Sequence, residues 1–304
     1  MRKSIIIRIS IVTVLLIGCI CGGIYIYNYY QDSYEEDEQI KNAKNLIIEN
    51  NDPEPTIKPV EETTVIAIPT EVPTNNTEKV VKIPTEERVI LYDDTEEESD
   101  YDGEEPEETK PTGGTTKKNY TVICDENPDY VGWITVPGTR IDYPVVLNSE
   151  DPEKYLHTNF YGNYSYAGTP FCYFHTDIER PSDNIMIYGH NMKSGTMFHD
   201  LHKYKEESFY KEHKTFDFNS IYEDNTYEIM AVLLTDANAG NYEKYTILNF
   251  SEDTYNEFIK YLKKNALYNT EALDRAVFGD KLVSLTTCAY HTDNGRIVVI
   301  GRKI

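Results

Sequence analysis

From Tyr120 onward, short apolar segments alternate with turn-forming residues, a spacing typical of a β-barrel or a β-sandwich. The segments are rich in Val, Ile, Tyr and Phe, which favour strands. They predict strands at Trp133–Val136, Val145–Leu147, Phe171–Phe174, Ile185–Tyr188, Tyr227–Thr235, Leu282–Thr287 and Ile297–Ile300. The pattern therefore predicts one mostly β domain.

Two segments of this domain depart from the strand pattern. Ser251 is a residue type that caps helices, and the apolar residues after it, Tyr255, Phe258, Ile259 and Leu262, fall on one face at helical spacing. A second helical piece is expected near Met197–Tyr204. The domain is thus mostly β with a few added helices.

The N-terminus carries an uncharged run of 19 residues, Ile9–Tyr27, which three basic residues precede. A helix of that length spans about 28 Å, enough to cross a bilayer core. Because flanking positive charge stays in the cytoplasm, the predicted orientation places the rest of the chain outside. A cleaved signal peptide is the alternative, although no small-x-small site follows the run. Residues 16–19 resemble a lipoprotein cleavage box, so lipidation of Cys19 stays open.

An acidic stretch separates this run from the domain. The whole chain of 304 residues has a formal net charge of −23, and Gln31–Asn119 holds 25 acidic and 9 basic residues with few aromatics. Such a composition cannot bury enough apolar surface to order itself. We therefore predict an anchor at 1–30, a disordered acidic linker at 31–119 and a folded domain at 120–304. Within the linker, one short amphipathic helix is expected from Ile40, Ala43, Leu46 and Ile47.

Three cysteines lie outside the predicted anchor, and their surroundings differ. Cys172 lies in an apolar, aromatic segment and is expected to be a small buried residue. Cys124 is either free or paired with Cys172. No pair among the three has metal-ligand spacing. Cys288 is different, because it ends an apolar strand.

A hairpin pattern brings a second residue to Cys288. The loop through Asp293-Asn294-Gly295 leads into the next strand, which begins at Arg296. Residues that flank a hairpin loop face each other about 5 Å apart. A guanidinium beside a strand-end thiol stabilises the thiolate and offers donors to a developing oxyanion. A core cysteine with a solvated arginine is the structural alternative.

A cysteine nucleophile that forms acyl intermediates also needs a general acid, usually histidine. His199, His202 and His213 lie in polar surroundings and are expected at the surface, and His157 and His175 have no distinguishing context. His291 is three residues past Cys288, whereas His190 follows the strand Ile185–Tyr188 and a glycine. The residues alone leave the choice between His190 and His291 open. Either pair predicts a bell-shaped pH profile of kcat/KM.

Several ordered motifs resemble the sortase family. Ser284–Cys288 with the downstream Gly295-Arg296 is similar to the sortase cysteine signature, and Tyr188–Asn191 is similar to the sortase histidine motif. Three further segments resemble class B sortases in particular, namely Asn127–Ile134, Ile141–Val145 and Ser182–Ile185. The resemblance covers the chain from about Asn127 to its end.

The resemblance implies a fold, a reaction and a set of roles. The fold would be a sortase-type barrel of about eight strands, with the extra class B helix at the Ser251 segment. Cys288 would attack a Thr carbonyl in a C-terminal sorting motif similar to Asn-Pro-x-Thr-Asn. His190 would protonate the departing amine, and Arg296 would hold the substrate and the oxyanion. Substrate-binding roles are implied for Leu156, Thr286, Thr287 and Tyr242.

The implied partners are the sorting-signal peptides of secreted proteins and an amine of a peptidoglycan precursor or cross-bridge. No cofactor, metal or nucleic acid is expected. The loop Thr235–Tyr245 is a candidate for reading the peptide, because its small residues suit a surface loop. The implied place of work is the outer face of the cell membrane, at the cell wall.

Two alternatives stay open. A papain-type cysteine hydrolase also needs Cys and His, but its cysteine usually comes first in sequence and opens a helix, whereas here His190 precedes a strand-end Cys288. In a non-enzymatic surface-binding module, Cys288 would be only a buried residue.

Overall fold

The computed structural model of the chain describes residues 17–24, 27, 34–35, 37–47, 120–238 and 240–304. The chain divides into two compact units, Met1–Asp52 with Pro111–Ile304, and Pro53–Lys110. All described residues belong to the first unit. Most of the predicted acidic linker therefore lies outside the described residues.

Eight strands close into a barrel in the order β1-β2-β3-β4-β7-β8-β6-β5. The pairs β2–β3 and β4–β7 are parallel, and the other neighbours are antiparallel. The strands are β1 Tyr130–Thr135, β2 Asp142–Val146, β3 Phe171–Cys172, β4 Asn184–Tyr188, β5 Thr215–Ser220, β6 Asp224–Asp236, β7 Leu282–Cys288 and β8 Gly295–Lys303. The expected barrel is confirmed.

All seven predicted strands overlap strands of the barrel, but β5 was missed. Thr215–Ser220 alternates buried and half-buried residues, with Phe216 and Phe218 turned into the core. Only two of its six residues are apolar, so the segment does not stand out as an apolar run. Its strand character comes from pairing on both sides, with β1 and with β6.

The helices lie outside the barrel. They are α1 (37–47), α2 Thr121–Glu126, α3 Glu207–Glu212, α4 Tyr242–Tyr245, α5 Glu252–Asn265 and α6 Glu271–Asp274, with 3₁₀ helices at Lys154–Leu156 and Phe198–Lys205. Ser251 caps α5 as expected, since its side chain accepts from the Thr254 N–H at 3.2 Å and the Thr254 hydroxyl accepts from the Ser251 N–H at 2.9 Å. The predicted helix at Met197–Tyr204 is present as 3₁₀ helix.

Successive residues of β7 face two different apolar layers. Val283 and Leu285 belong to the core inside the barrel. Leu282 belongs to a second layer outside the barrel, where Phe258 and Leu262 of α5 cover the strands. Because side chains alternate along a strand, Thr286 and Cys288 share the outer face with Leu282. The nucleophile candidate therefore lies on the outer surface of the barrel, on the side that α5 covers.

Helix α1 packs against the barrel although it precedes the predicted domain boundary at Tyr120. Ala43 is completely buried in a cluster with Trp133 of β1 and Ile123 of α2. The partly buried residues of α1 in this cluster are Ile40, Leu46 and Ile47. The expected amphipathic helix is confirmed, and its apolar face covers a side of the barrel that α2, with only six residues, does not cover alone.

Polar contacts fix the position of α1 along the barrel. The Asn159 amide Nδ2 donates to Gln39 Oε1 at 2.9 Å. Lys44 forms an ion pair with Asp142 at the start of β2. The folded part of the chain thus includes residues that the sequence pattern assigned to the linker.

The predicted anchor Ile9–Tyr27 is only partly covered by the described residues. Residues 17–24 are helical and exposed. Within the portion of the chain that the structure describes, no helix is both long and apolar enough to span a bilayer. Tyr27 is also described, and the other residues of the predicted span lie outside the described residues.

Candidate active site

The hairpin of β7 and β8 places Arg296 opposite Cys288. The two residues are direct partners in the antiparallel register. The loop between them closes with a hydrogen bond from the Ala289 N–H to the Gly295 carbonyl of 2.8 Å. Directly opposed residues point to the same side of a sheet. The predicted juxtaposition of thiol and guanidinium follows from this register.

The parallel neighbour β4 brings His190 to the same end of the sheet. Tyr188 is the register partner of Thr286, so the next residues of β4 run beside the end of β7. The Gly189 N–H donates to the Thr286 carbonyl at 3.2 Å, and the Thr287 hydroxyl donates to the Gly189 carbonyl at 2.6 Å. These two bonds hold the segment before His190 against the segment before Cys288.

Gly189 is required here because the chain passes close to an aromatic ring. A Cβ at this position would lie 2.7 Å from the Phe198 ring, which is closer than real Cβ atoms approach other atoms. Phe198 is completely buried at the start of its 3₁₀ helix. The glycine therefore lets the backbone just before His190 pack closely against the buried Phe198 ring.

The His190 ring is held by the residues around the 3₁₀ helix Lys154–Leu156. Its Nε2 lies 2.9 Å from the Leu156 carbonyl oxygen. A carbonyl only accepts, so Nε2 carries the proton of this bond, and Nδ1 is the other site of proton exchange. The His157 ring stacks on the His190 ring, with 5.7 Å between centroids and 22° between planes. Leu156 thus contacts His190 through its backbone.

A second group of side chains holds the Cys288 backbone. Asn191, directly after His190, donates through Nδ2 to the Cys288 carbonyl at 2.9 Å. His202 Nε2 lies 3.0 Å from the same carbonyl, and His199 Nδ1 lies 2.7 Å from Asn191 Oδ1. Asn191 Nδ2 also lies 2.9 Å from His202 Nε2. His202 therefore donates to the Cys288 carbonyl when its proton is on Nε2, and accepts from Asn191 when its proton is on Nδ1. Burial lowers the pKa of His202, and the bond to Cys288 partly offsets this.

His202 is a correction to the sequence-based expectation, which placed it at the surface. It is half-buried and touches the nucleophile's own peptide group. The polar, Lys-rich context that suggested a surface residue reflects only one side of the 3₁₀ helix Phe198–Lys205. Asn191 was noticed only as part of a motif. Nothing in the local pattern signals that either side chain contacts Cys288, because the contacts span 97 and 86 positions.

His291 lies in the exposed part of the β7–β8 loop. Its ring packs beside Gly295, where a Cβ would come within 2.9 Å of His291 Nδ1. His190, in contrast, is tied to the ends of β4 and β7 by Gly189. The geometry therefore favours His190 as the partner of Cys288.

Arg296 lies beside a pair of tyrosines that close one side of the site. Its Nη1 donates to the carbonyls of Asn294 at 3.2 Å and Gly295 at 3.0 Å. Its charge acts against the burial that raises the pKa of Tyr242. The hydroxyls of Tyr242 and Tyr188 are 3.2 Å apart. The guanidinium is thus oriented by its own loop next to the outer face that carries Cys288.

The four predicted substrate-binding residues fall in different places. Thr286 is buried on the outer face of the barrel, two residues before Cys288. Tyr242 of α4 reaches the same face. Thr287 points to the other face, and its hydroxyl is used by the Gly189 carbonyl. Leu156 supports His190 through its carbonyl. The structure therefore places Thr286 and Tyr242 on the same face of the barrel and gives Thr287 and Leu156 a positioning contact.

The remaining cysteines do not join the site. Cys172 is buried in the barrel core, and burial raises the pKa of its thiol. Burial also raises the pKa of Cys124, with a smaller contribution from Asp125. Both thiols are free, so the pairing that the sequence left open is not formed. Cys288 alone among the three lies beside a histidine and an arginine.

Comparison with known proteins gives a consistent match. The Sortase domain family model matches residues 134–304. Sortase B of Listeria monocytogenes serovar 1/2a is 34% identical over 181 residues, covering 59% of this chain and 71% of that protein. Sortase B of Staphylococcus aureus is 29% identical over 181 residues, with the same two shares of 59% and 71%.

Solved structures agree with the sequence matches. The crystal structure of Clostridium perfringens sortase B superimposes with a TM-score of 0.56 at 33% identity, covering 60% of this chain and 98% of that one. The Staphylococcus aureus sortase B–substrate complex gives a TM-score of 0.56 at 26% identity, covering 62% and 86%.

Proposed function

The chain belongs to the sortase family, in its class B, and we propose that it cleaves a sorting motif after Thr and transfers the acyl group to a cell-wall amine. The family match covers residues 134–304. Sortases are cysteine transpeptidases, and this activity is the one that the fold and the relatives support. The finer statements of motif and acceptor are the proposal.

One observation carries the residue assignment: the ends of three neighbouring strands bring His190, Cys288 and Arg296 together. Cys288 and Arg296 are register partners, and His190 follows the register pair Tyr188 and Thr286. Residues that are 98 positions apart in sequence, Cys288 and His190, are thus neighbours through the β4–β7 pairing. This is the arrangement that a thiol nucleophile, a general acid and an oxyanion donor require.

The mechanism follows from these positions. The Cys288 sulfur attacks the Thr carbonyl carbon, and Arg296 stabilises the negative charge that develops on the carbonyl oxygen. His190 gives a proton to the departing nitrogen, so the C–N bond breaks and a thioester remains on Cys288. An incoming amine then forms the new amide bond and releases the thiol. The bond from Nε2 to the Leu156 carbonyl assigns the proton exchange to Nδ1 of His190.

The sorting peptide is proposed to lie on the outer face of the barrel. Thr286, Tyr188 and Tyr242 form this side of Cys288, below the connection that carries α4 and α5. The loop before α4 borders the same face, since the Ala237 N–H donates to the Asn294 carbonyl at 2.9 Å. A similar solved structure, that of Staphylococcus aureus sortase B, is a complex with substrate.

The papain-type alternative is disfavoured by the position of the nucleophile. Cys288 ends a strand of a closed barrel, whereas a papain-type cysteine begins a helix. The surface-binding alternative does not explain why Cys288, His190 and Arg296 lie together at the ends of neighbouring strands.

The proposed location is the outer side of the cell membrane, with the predicted helix 9–27 as the anchor. Its support is the uncharged run of 19 residues with basic residues before it. Expression of the full chain, followed by separation of membranes and protease treatment of intact cells, tests this. The barrel should stay with the membranes and be digested from outside, and recovery in the cytosol would contradict the proposal.

The activity is tested with the full chain in detergent micelles and a library of sorting peptides that vary around Asn-Pro-x-Thr-Asn. Triglycine serves as the amine. Mass spectrometry should find peptides joined to triglycine after Thr, and a thioester adduct on the wild-type chain but not on Cys288→Ala. Hydrolysis of unrelated peptides without amine transfer would contradict the transpeptidase assignment.

A further inference from the structure

Three aromatic rings lead from the catalytic histidine to the surface. The His157 ring stacks on His190 and also lies 6.2 Å from the Tyr164 ring and 6.0 Å from the Tyr166 ring. The planes differ by 28° and 30°, so both tyrosine rings are roughly parallel to His157. We call His157, Tyr164 and Tyr166 the aromatic platform.

The platform is unusually exposed for aromatic residues. Tyr164 is 78% exposed and Tyr166 is 58% exposed. Within residues 120–304 as described, the only other exposed tyrosine is Tyr290, which is two residues past Cys288. Two of the exposed tyrosines of this part of the chain thus contact the ring that stacks on His190, and the third is close to Cys288 in sequence. Clustered exposed aromatic surface marks an interaction site.

The loop that carries the platform is rigidly built. Thr158 and Tyr164 form an isolated antiparallel bridge, and the Asn159 N–H donates to the Asn163 carbonyl at 2.8 Å. The Ser165 N–H donates to the His157 carbonyl at 3.0 Å. These bonds hold the backbone of both tyrosines against the backbone of His157. The exposure of both rings therefore follows from the hydrogen-bonded conformation of the loop and not from fraying of the loop.

The start of the same loop is tied to the barrel through Asp129. Lys154 Nζ and the Tyr155 hydroxyl both donate to Asp129 Oδ2, at 2.6 Å and 2.8 Å. Burial raises the pKa of Asp129, but its hydrogen bonds from Asn148, Lys154 and Tyr155 outweigh this and hold the pKa below its usual value. The charged form of Asp129 is thus preferred, and it anchors the helix that presents Leu156 and His157 to His190.

We propose that the aromatic platform binds the acceptor amine of the transfer reaction, so that Tyr164 and Tyr166 set the affinity for the second substrate. The inference rests on the proposed function. The outer face beside Thr286 and Tyr242 is assigned to the sorting peptide. The platform approaches His190 separately, through the His157 ring that stacks on it. His190 serves the departing amine and the incoming one in turn, so an acceptor has to come within reach of its ring.

The chemistry of the acceptor matches the surface. A primary amine on a peptide is mostly an ammonium ion at neutral pH. The faces of tyrosine rings attract such cations when these lie within about 6 Å of the ring centre. Tyrosine also binds with little loss of conformational entropy, since it has few rotatable bonds. A pair of exposed tyrosines on a rigid loop is thus suited to collect an ammonium next to His157, one ring away from His190.

The transfer step then balances as follows. The ammonium moves from the platform to the neutral His190 ring and gives it one proton, and the resulting amine attacks the thioester carbonyl. The C–N bond forms as the C–S bond breaks, and a second proton from the nitrogen passes to the Cys288 sulfur. The products are an amide, a free thiol and a protonated His190, which returns its proton to solvent.

The test separates acylation from transfer in the full chain. The variants are Tyr164→Ala, Tyr166→Ala and the double variant, and Phe278→Ala is the matched control, because Phe278 is also an exposed aromatic residue but packs on Tyr255 below α5. A fluorogenic sorting peptide without amine reports acylation and hydrolysis. Triglycine reports transfer of a cationic acceptor, and hydroxylamine, which is small and mostly uncharged at neutral pH, reports transfer without a need for the platform.

We expect each tyrosine variant to raise the apparent KM for triglycine by about 3- to 30-fold, the range of a cation–π contact. The sorting-peptide kcat/KM, the hydroxylamine rate and the melting temperature should stay within about twofold of the values for Phe278→Ala. Unchanged KM for triglycine would overturn the inference. An increase in the sorting-peptide KM instead would show that the platform binds the donor peptide and would overturn it too. If the wild-type chain forms no thioester at all, the proposed function fails first, and the inference falls with it.

Discussion

His190 has two neighbourhoods of opposite character. On one side, Asn191, His199 and His202 form a partly buried polar network that ends on the Cys288 carbonyl. On the other side, the aromatic platform stacks outward into solvent. The first side consists of hydrogen bonds with distances from 2.7 Å to 3.0 Å, and the second consists of ring faces.

The difference separates two tasks. A buried polar network in which each group has a partner fixes atoms in place, because breaking any bond leaves an unsatisfied group. An exposed ring face keeps contact area open to solvent and gains by contact with a ligand. Changes on the polar side should therefore lower kcat, whereas changes on the aromatic side should alter the binding of the second substrate.

The largest effect is expected at His190, where the polar network and the aromatic platform meet. His190→Ala removes the proposed general acid and should lower kcat/KM by about 10²- to 10⁴-fold. His291→Ala, which removes an exposed loop histidine, is the matched control and should stay near wild type. The measurement is a pH profile of kcat/KM, which should be bell-shaped for wild type and lose one limb in His190→Ala. A large loss in His291→Ala with an active His190→Ala would reverse the assignment.

A loss nearly as large is expected at Arg296. Arg296→Ala removes the donor to the developing oxyanion and should lower kcat by about 10²- to 10³-fold. Arg296→Lys keeps the charge but loses the planar fork, so it should recover only part of this loss. Arg275→Ala is the control, since Arg275 is an exposed arginine paired with Glu228 on another part of the barrel. Full activity in Arg296→Lys would show that charge alone is enough.

A smaller effect on kcat is expected from the polar network. Asn191→Ala leaves the Cys288 carbonyl with only His202 as donor, so kcat should fall by about tenfold while the KM for triglycine stays constant. His202→Gln keeps a side-chain N–H and should retain more activity than His202→Ala. Asn265→Ala, at the far end of α5, controls for loss of an asparagine amide. A change in the triglycine KM without a change in kcat would contradict the separate tasks assigned to the polar network and the aromatic platform.

The smallest effect is expected from Tyr164→Phe on the aromatic side. The variant keeps the ring face and loses only the hydroxyl, so the triglycine KM should stay within about twofold of wild type. Steady-state transfer kinetics measure it beside Tyr164→Ala. A loss in Tyr164→Phe equal to that in Tyr164→Ala would show that a hydrogen bond, and not the ring face, holds the acceptor.

Much of the site was predictable because its pieces are local. The hairpin register of Cys288 and Arg296 depends on a turn between adjacent strands, and Ser251 caps α5 through a residue three positions away. Strand β5 was missed because its polar residues gain their strand character from partners elsewhere. His202 was misjudged because its contact with Cys288 spans 86 positions.

The amino-acid sequence by itself determined the strand pattern, the cysteine–arginine hairpin and, through its motifs, the family. Such features depend on alternation, turn residues and neighbours within a few positions, so the local pattern contains them. Only the tertiary structure decided that α1 completes the barrel surface, that His202 and Asn191 contact the Cys288 carbonyl and that Tyr164 and Tyr166 lie beside the His157 ring that stacks on His190. These contacts arise when barrel closure brings distant segments together, and no periodicity along the chain records which segments will meet.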